Sequence, residues 1–186
     1  MLHDSEKRAK WHGMISTHLE PVEYTAGEAA DITGLTAVQQ RNYRRHGLLP
    51  KFGRGWARYT APDLADLLIM NQLSRRGVTP SSAKLAMKPT ESGSAAALLT
   101  AWALRLPGSV MSDPDLPRRR QKTFQVPKAL PRYAVFSGTE PRFVSNLHAA
   151  LGKDGNAVAI VLDLKALARR LLDLAGPLWL ELEGRA

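Results

Sequence analysis

The spacing of hydrophobic positions divides this 186-residue chain into parts with different periods. From Tyr24 to about Met87, apolar residues recur every three or four positions, which is the spacing of helices that bury one face. Proline and glycine interrupt this pattern and mark where each helix begins or ends. The pattern predicts helices over residues 26–32, 36–46, 62–75 and 80–87.

The first two predicted helices are joined by a very short turn. Ala29 and Ala30 are small enough to let two helices cross closely, and Gly34 can adopt the left-handed conformation that a tight turn needs. Leu35 is apolar and can fill the corner, and Thr36 is a suitable N-cap for the second helix. This arrangement is typical of a helix-turn-helix.

After the second helix, the chain is predicted to return to the core and then form a hairpin. Gly47 is a helix-ending residue, the two leucines after it are apolar, and Pro50 prevents the helix from continuing. Residues 51–58 place two glycines among basic and aromatic residues, which is typical of a tight hairpin, or wing. Within it, Trp56 is expected to anchor the hairpin by packing, with stacking on a DNA sugar as the alternative.

The segments on either side of these helices have other patterns. Residues 94–106 are rich in alanine and leucine and predict one helix of three to four turns. Residues 107–131 contain several prolines and the consecutive arginines 118–120, and they predict a basic linker. At the N-terminal end, residues 1–20 are polar and predict an arm with a weak helical pattern over residues 5–11.

From Arg132 onwards, short apolar runs alternate with helical patterns. The order strand, helix, strand, helix, strand predicts a small α/β layer with a largely parallel sheet. A segment of this length forms only a thin core, so we expect it to pack on the first helices or on a second copy of the chain. The predicted elements are a strand at 133–136, a helix over 143–151, a strand at 157–162, a helix capped by Asp163 and a strand at 178–183.

Together these elements predict an α+β or mainly α fold, with an N-terminal winged helix-turn-helix, a short connecting helix and a small C-terminal α/β domain. The last domain is expected to serve in dimerisation, effector binding or partner binding. The predicted divisions are a polar arm at 1–20, a winged helix-turn-helix at 21–90, a helix and basic linker at 91–131 and an α/β domain at 132–186.

Charge and composition narrow the possible functions. The net charge of +9 makes a polyanion the first partner to consider. The chain has no cysteine, which excludes disulfides, zinc knuckles and cysteine nucleophiles. No apolar run approaches the roughly 20 residues of a membrane span, so we expect a soluble, cytoplasmic protein. Histidines at metal-ligand spacing, a phosphate loop and a nucleophile elbow are all missing, so we expect no metal, no cofactor and no enzymatic activity.

A set of residues between Tyr24 and Gly77 forms a recognisable pattern. The set comprises Tyr24, Thr25, Glu28, Ala29, Ala30, Gly34, Leu35, Thr36, Arg41, Tyr43, Arg45, Gly47, Leu48, Leu49, Pro50, Gly55, Arg58, Tyr59, Asp63, Leu64, Leu67, Ile69, Leu73 and Gly77. With these residues, segment 24–87 resembles the DNA-binding domain of the MerR family of transcriptional regulators. The resemblance implies a bacterial or phage protein whose winged helix-turn-helix binds double-stranded DNA and bends or untwists promoter DNA. It also implies a homodimer, although the predicted helix at 94–106 is short for the long dimerisation helix of that family.

Three residues depart from the family pattern. Gln40 stands where an inward-facing aliphatic residue is usual, so its amide needs a buried partner or the helix must tilt. Asn42 stands where an aromatic residue is common. Ala57 replaces an arginine often found in the wing, so Arg58 is expected to take the role of that arginine. These departures are expected to change which DNA sequence is bound, and they leave the predicted fold unchanged.

The second predicted helix carries residues suited to reading DNA. In such motifs, the start of this helix and one face beyond it meet base edges in the major groove. Arg41 suits guanine, Asn42 suits adenine and Val38 suits a thymine methyl group, while basic wing residues suit phosphates. The predicted DNA-binding residues are Thr36, Ala37, Val38, Arg41, Asn42, Tyr43, Arg44, Arg45, Lys51, Arg54, Arg58 and Tyr59, with Tyr43 expected mainly to fill core.

These residues favour a sequence-specific transcriptional regulator that acts as a homodimer on a near-palindromic site, with RNA polymerase or another protein as a further partner. An excisionase-like or architectural factor that bends DNA in a recombination complex is the alternative, since it would use the same winged domain. A third hypothesis makes the C-terminal domain a ligand sensor or a protein-recruitment module. The sequence leaves these hypotheses open.

Overall fold

The computed structural model describes residues 15–49, 56–90, 93–112, 122–126, 129–137, 141–146, 148 and 159–181. Helices and strands alternate irregularly along this part of the chain. In order they are β1 (Ile15–Pro21), α1 (Ala26–Thr33), α2 (Ala37–Arg45), α3 (Ala61–Ser74), α4 (Pro80–Ala86), α5 (Ala95–Arg105), β2 (Val110–Ser112), β3 (Lys122–Val126), β4 (Tyr133–Phe136), β5 (Pro141–Val144), β6 (Ile160–Asp163), α6 (Leu164–Ala175) and β7 (Trp179–Glu181).

The predicted helix-turn-helix is present as α1, a turn and α2. The Thr25 side chain caps α1, and the side chain of Glu28 accepts a hydrogen bond from the Thr25 backbone N–H. Gly34 ends α1 with a φ of 73°, and the buried Leu35 fills the corner. Thr36 then caps α2. The sequence prediction of both helices and of their turn is confirmed, because each boundary depends on residues beside it in the chain.

Helix α3 is the central support of this half of the molecule. Ten of its fourteen residues are buried, and it packs against α1, α4 and α5. Pro62 lies in its first turn, where no backbone donor is needed. Asn71, near its C-terminal end, donates to the Thr33 carbonyl at 2.8 Å. The helix-turn-helix therefore rests on α3 through a buried hydrogen bond as well as apolar contacts.

A four-stranded sheet joins segments from opposite ends of the chain, in the order β2-β7-β1-β3. Strand β1 is antiparallel to β3 and β7, and β2 is parallel to β7. The prediction of a polar arm is therefore wrong over residues 15–20, which belong to β1, and the predicted linker contains β2 and β3. The weak helical pattern over residues 5–11 lies outside the described residues. The partners of β1 lie far along the chain, so local patterning did not reveal this strand.

The second sheet corrects the prediction for the C-terminal part. Strands β5, β4 and β6 form a sheet in which both pairings are antiparallel, and β7 joins the other sheet. The predicted largely parallel α/β layer is therefore wrong. The predicted helix over 143–151 is wrong at its start, because Phe143 and Val144 pair with β4 as part of β5. The predictions of β4, β6 and α6 are confirmed.

The C-terminal part packs directly on the helix-turn-helix part. Helix α6 contacts α1 and α5, and the Val22 N–H donates to the Leu178 carbonyl at 3.0 Å. Trp179 is fully buried, as expected of a core residue. Of the two packing arrangements expected from the sequence, the structure shows the intramolecular one.

Helix α5 is enclosed between α3 and α6. Its buried residues are Ala95, Ala96, Leu98, Leu99, Thr100 and Ala103. Ala101, Trp102 and Leu104 are partly buried against the same core. None of the helices in the part of the chain that the structure describes combines the length and apolar character that crossing a membrane requires.

Candidate nucleic-acid interface

The exposed face of α2 presents most of the residues predicted to read DNA. Arg41, Asn42 and Arg45 are exposed, and Val38 is 63% exposed. Thr36 and Ala37 are exposed at the start of the helix. All of these side chains lie on one short helix, as a groove-reading surface requires.

Among the residues that the structure describes, no carboxylate forms an ion pair with the arginines exposed on this face. Among the described residues, the ion pair within 4.0 Å is that of Arg132 with Asp163, at 2.7 Å, in the C-terminal part. Arg41 and Arg45 form no such pair with the carboxylates that the structure describes. An uncompensated pair of arginines on a polar helix attracts a polyanion.

The opposite face of α2 is held by one fully buried polar residue, Gln40. Its Nε2 donates to the Leu35 carbonyl at 2.8 Å and to the Ala26 carbonyl at 3.3 Å. Its Oε1 accepts from the Tyr59 hydroxyl at 2.6 Å and from Arg44 at 3.4 Å. The amide therefore has the buried partners that its position demands.

Arg44 and Tyr59 belong to this buried network and not to the exposed face. The Arg44 guanidinium donates to the Tyr59 hydroxyl and lies 5.4 Å from the centre of the Tyr59 ring. Burial, and then the charge of Arg41, lower the pKa of Arg44. Tyr59 is only 2% exposed, so its hydroxyl lies inside the protein. The Arg44 side chain, on α2 itself, and the Tyr59 hydroxyl thus both contact Gln40 on the buried side of this helix.

Tyr43 is half-buried and packs against the hydrophobic core, in agreement with its expected role as a core residue. Leu48 and Leu49, after the end of α2, also contact or join the core. The exposed residues of α2 are thus presented by a helix whose other side is fixed at several points.

The predicted wing is only partly described. Lys51 and Arg54 lie outside the described residues, as does most of the predicted hairpin. Arg58 is exposed, and its charge contributes to lowering the pKa of Glu28, after the larger effect of hydrogen bonds from Thr25. Trp56 is 93% exposed, so the interpretation that it anchors the hairpin by packing is wrong.

Lys84 on α4 is a basic residue that the sequence did not single out. Its Nζ donates to the carbonyl of Gly47, so the ammonium group lies beside the C-terminal end of α2. The two residues are 37 positions apart, and no local pattern marks this contact. Lys84 extends the positive charge of the α2 face.

The part of the chain that is described shows no group of three or more His, Asp or Glu residues that could hold a metal ion. The exposed polar side chains of α2 and its N-cap carry guanidinium, amide and hydroxyl groups. Such groups hydrogen-bond to base edges and phosphates.

Comparison with known families agrees with this geometry. Residues 24–89 match the family described as "MerR HTH family regulatory protein", which includes α1, α2, α3 and α4. None of the curated proteins matches the chain at a significant level. The resemblance seen in the sequence is confirmed for this segment, and it supports a DNA-binding regulator in general.

Proposed function

We propose that the protein is a sequence-specific transcriptional regulator that inserts α2 into the major groove of double-stranded DNA. The observation that carries this proposal is the exposed face of α2. There Arg41, Asn42 and Arg45 project from a capped helix without a described carboxylate partner. Side chains of these types at the start and on one face of such a helix read base edges.

Each exposed residue has a chemical role in this proposal. Arg41 donates two hydrogen bonds to guanine, and Asn42 pairs with the donor and acceptor edge of adenine. Val38 contacts a thymine methyl group, which gives its 63% exposure a function. Arg45 lies one turn beyond Arg41 and extends the contact along the groove.

The surrounding basic residues hold the phosphate backbone. Arg58 and Lys84 are both exposed. Arg58 directly precedes Tyr59, and Lys84 lies beside the C-terminal end of α2. We propose that Lys51 and Arg54 of the predicted wing join them. These contacts fix the position of the protein but do not select a sequence. Arg44 and Tyr59, in contrast, act by supporting α2 from behind.

We further propose that two copies bind a near-palindromic site and bend or untwist it, which changes how RNA polymerase engages the promoter. Helix α5 is enclosed by α3 and α6 of its own chain. The contact between the two copies therefore uses a surface other than α5.

The test starts with selection of a binding site from a random duplex library by the wild-type protein. The affinity of the Arg41→Ala/Arg45→Ala variant for that site is then measured by titration at fixed salt. Each good base contact contributes about 1–3 kcal/mol, so we expect a loss of at least about 30-fold.

The matched control is Arg169→Ala/Arg170→Ala, which removes two exposed arginines from α6. It lowers the net charge equally but leaves α2 intact, so we expect a loss of only a few-fold. Equal losses in the two variants would show that the protein binds DNA only through its net charge, and the proposal would be wrong.

A further inference from the structure

Tyr24 connects the start of the helix-turn-helix with the C-terminal end of the described chain. Its hydroxyl donates to the Pro177 carbonyl at 3.0 Å, and the side chain is 7% exposed. Two residues earlier, the Val22 N–H donates to the Leu178 carbonyl at 3.0 Å. The segment of residues 177–181, called the C-terminal segment below, thus pairs with the chain immediately before α1.

Tyr24 is also bonded to Tyr59. The backbone groups of the two tyrosines exchange hydrogen bonds of 2.8 and 2.9 Å, and they form an isolated antiparallel bridge. The Tyr59 hydroxyl then donates to Gln40 at 2.6 Å, and Gln40 is the one fully buried residue of α2. A continuous series of contacts therefore leads from Pro177 through Tyr24 and Tyr59 to Gln40.

We infer that the C-terminal segment positions α2 through Tyr24, Tyr59 and Gln40, so that docking of this segment and specific DNA binding are thermodynamically coupled. The inference rests on the proposed function, and it assigns to the C-terminal part a regulatory role at the same site. A partner or ligand that displaces the C-terminal segment weakens DNA binding, and bound DNA stabilises the docked segment to the same extent.

Because the contacts from Pro177 to Gln40 are hydrogen bonds, a displacement of the C-terminal segment is expected to shift Gln40 and with it α2. Gln40 is fully buried and makes four hydrogen bonds, and a buried polar network permits few arrangements in which every group stays satisfied. A shift of Tyr59 therefore forces the Gln40 amide to move or to lose a bond. Burial, with a smaller effect from Glu28, raises the pKa of Tyr24 to about 12. The Tyr24 hydroxyl therefore remains a donor at neutral pH.

The test is the Tyr24→Phe substitution in the full chain. It keeps the buried ring and removes only the bond to the carbonyl of Pro177, which is an exposed residue. The matched control is Tyr133→Phe, which makes the same chemical change in β4, away from the series. Asp163→Ala is a second control, because it removes the α6 cap and the Arg132 ion pair without touching the series.

Two measurements are made on each variant. The first is the ratio of affinities for the selected site and for an unrelated duplex. The second is amide hydrogen exchange of α2 in the free protein. For Tyr24→Phe we expect the ratio to fall about threefold or more and α2 to exchange faster, while Tyr133→Phe behaves like the wild type.

The outcomes separate this inference from the proposed function. If the wild-type protein shows no preference for any duplex, the proposed function is wrong, and exchange in α2 still tests the coupling. If Tyr24→Phe leaves both the ratio and the exchange of α2 unchanged, the inference is wrong. It is equally wrong if Asp163→Ala lowers the ratio as much as Tyr24→Phe, because the effect is then general destabilisation.

Discussion

Helices α2 and α6 differ in how they are attached to the molecule. Both carry exposed arginines, but α6 buries four residues, Leu164, Ala168, Leu171 and Leu172, whereas α2 buries only Gln40. Apolar packing is non-directional and tolerates small shifts, while hydrogen bonds restrict both distance and angle. Helix α6 is therefore held mainly by buried area. Helix α2 exposes six of its nine residues, has Tyr43 and Arg44 only half-buried, and is oriented mainly by the hydrogen bonds of Gln40.

The largest expected effect on stability comes from the apolar attachment of α6. Leu171→Ala removes a fully buried side chain, so we expect the free energy of unfolding to fall by about 3 kcal/mol in urea titrations.

On α2, Gln40→Leu keeps a similar volume but removes the partner that Gln40 provides to the Tyr59 hydroxyl and the Leu35 carbonyl. We expect it to cost about 1–2 kcal/mol in stability and to weaken specific DNA binding clearly. If Gln40→Leu left DNA affinity unchanged, the contrast between the two helices would not hold.

The next prediction compares the glycines at the two ends of α2. A Cβ on Gly34 would lie 2.9 Å from the Asn71 Nδ2, and the φ of 73° already disfavours alanine. Gly47 has a similar φ of 68°, but a Cβ there meets nothing within 4 Å. Backbone strain of about 1 kcal/mol is common to both substitutions. We therefore expect Gly34→Ala to lower the free energy of unfolding by about 2 kcal/mol or more, and Gly47→Ala by about 1 kcal/mol.

Thermal denaturation of the two alanine variants checks this difference. If both substitutions lowered the free energy of unfolding equally, the Asn71 side chain would be able to move away from a Cβ on residue 34 without loss of stability. In that case the turn before α2 is not fixed against α3, and the attachment of α2 is looser than its hydrogen bonds indicate.

An effect that depends on pH is expected at Asp66 on α3, the helix that packs against both α1 and α5. Burial, and then the charge of Asp63, raise the pKa of Asp66 from 3.8 to about 6. A carboxyl group with a raised pKa in the folded state favours folding at low pH, and this contribution is lost as pH rises from about 4 through 6. Asp66→Asn should therefore raise the free energy of unfolding by about 1–2 kcal/mol at pH 8, with no gain below about pH 4.

Urea titrations of Asp66→Asn at pH 4 and pH 8 measure this dependence. The same variant should leave the affinity for the selected duplex unchanged. It alters α3, which packs against α1 and α5, and it does not alter the hydrogen bonds of Gln40 that orient α2. If DNA affinity rose together with stability, DNA binding would depend on the overall stability of the protein and not specifically on the hydrogen bonds that orient α2.

Elements with local signals were predicted well from the sequence. Thr36 and Asp163 cap helices as expected, and Gly34 makes the expected left-handed turn. These predictions succeeded because a cap or a turn is decided by residues within about four positions of each other. The exposed positions of Arg41 and Arg45 follow from the helical period in the same way.

Pairings between distant segments were not predicted. Strand β1 was interpreted as part of a polar arm, and β5 was interpreted as the start of a helix. In each case the deciding partner is another strand, and a short strand has little preference of its own. The candidate site shows the same limit, since no pattern in the sequence indicated that Arg44 and Tyr59 hydrogen-bond to the buried Gln40.

The sequence by itself determined the helix-turn-helix, its caps, its basic face and its resemblance to MerR regulators, because these depend on composition and on neighbours in the chain. Only the tertiary structure decided that the half-buried Arg44 hydrogen-bonds to Gln40 and Tyr59, whereas Arg41 and Arg45 are exposed. It also showed that the C-terminal segment is bonded to the start of that motif through Tyr24. The physical reason is that burial and hydrogen-bond partners are properties of the packed molecule, where residues 153 positions apart lie within 3.0 Å.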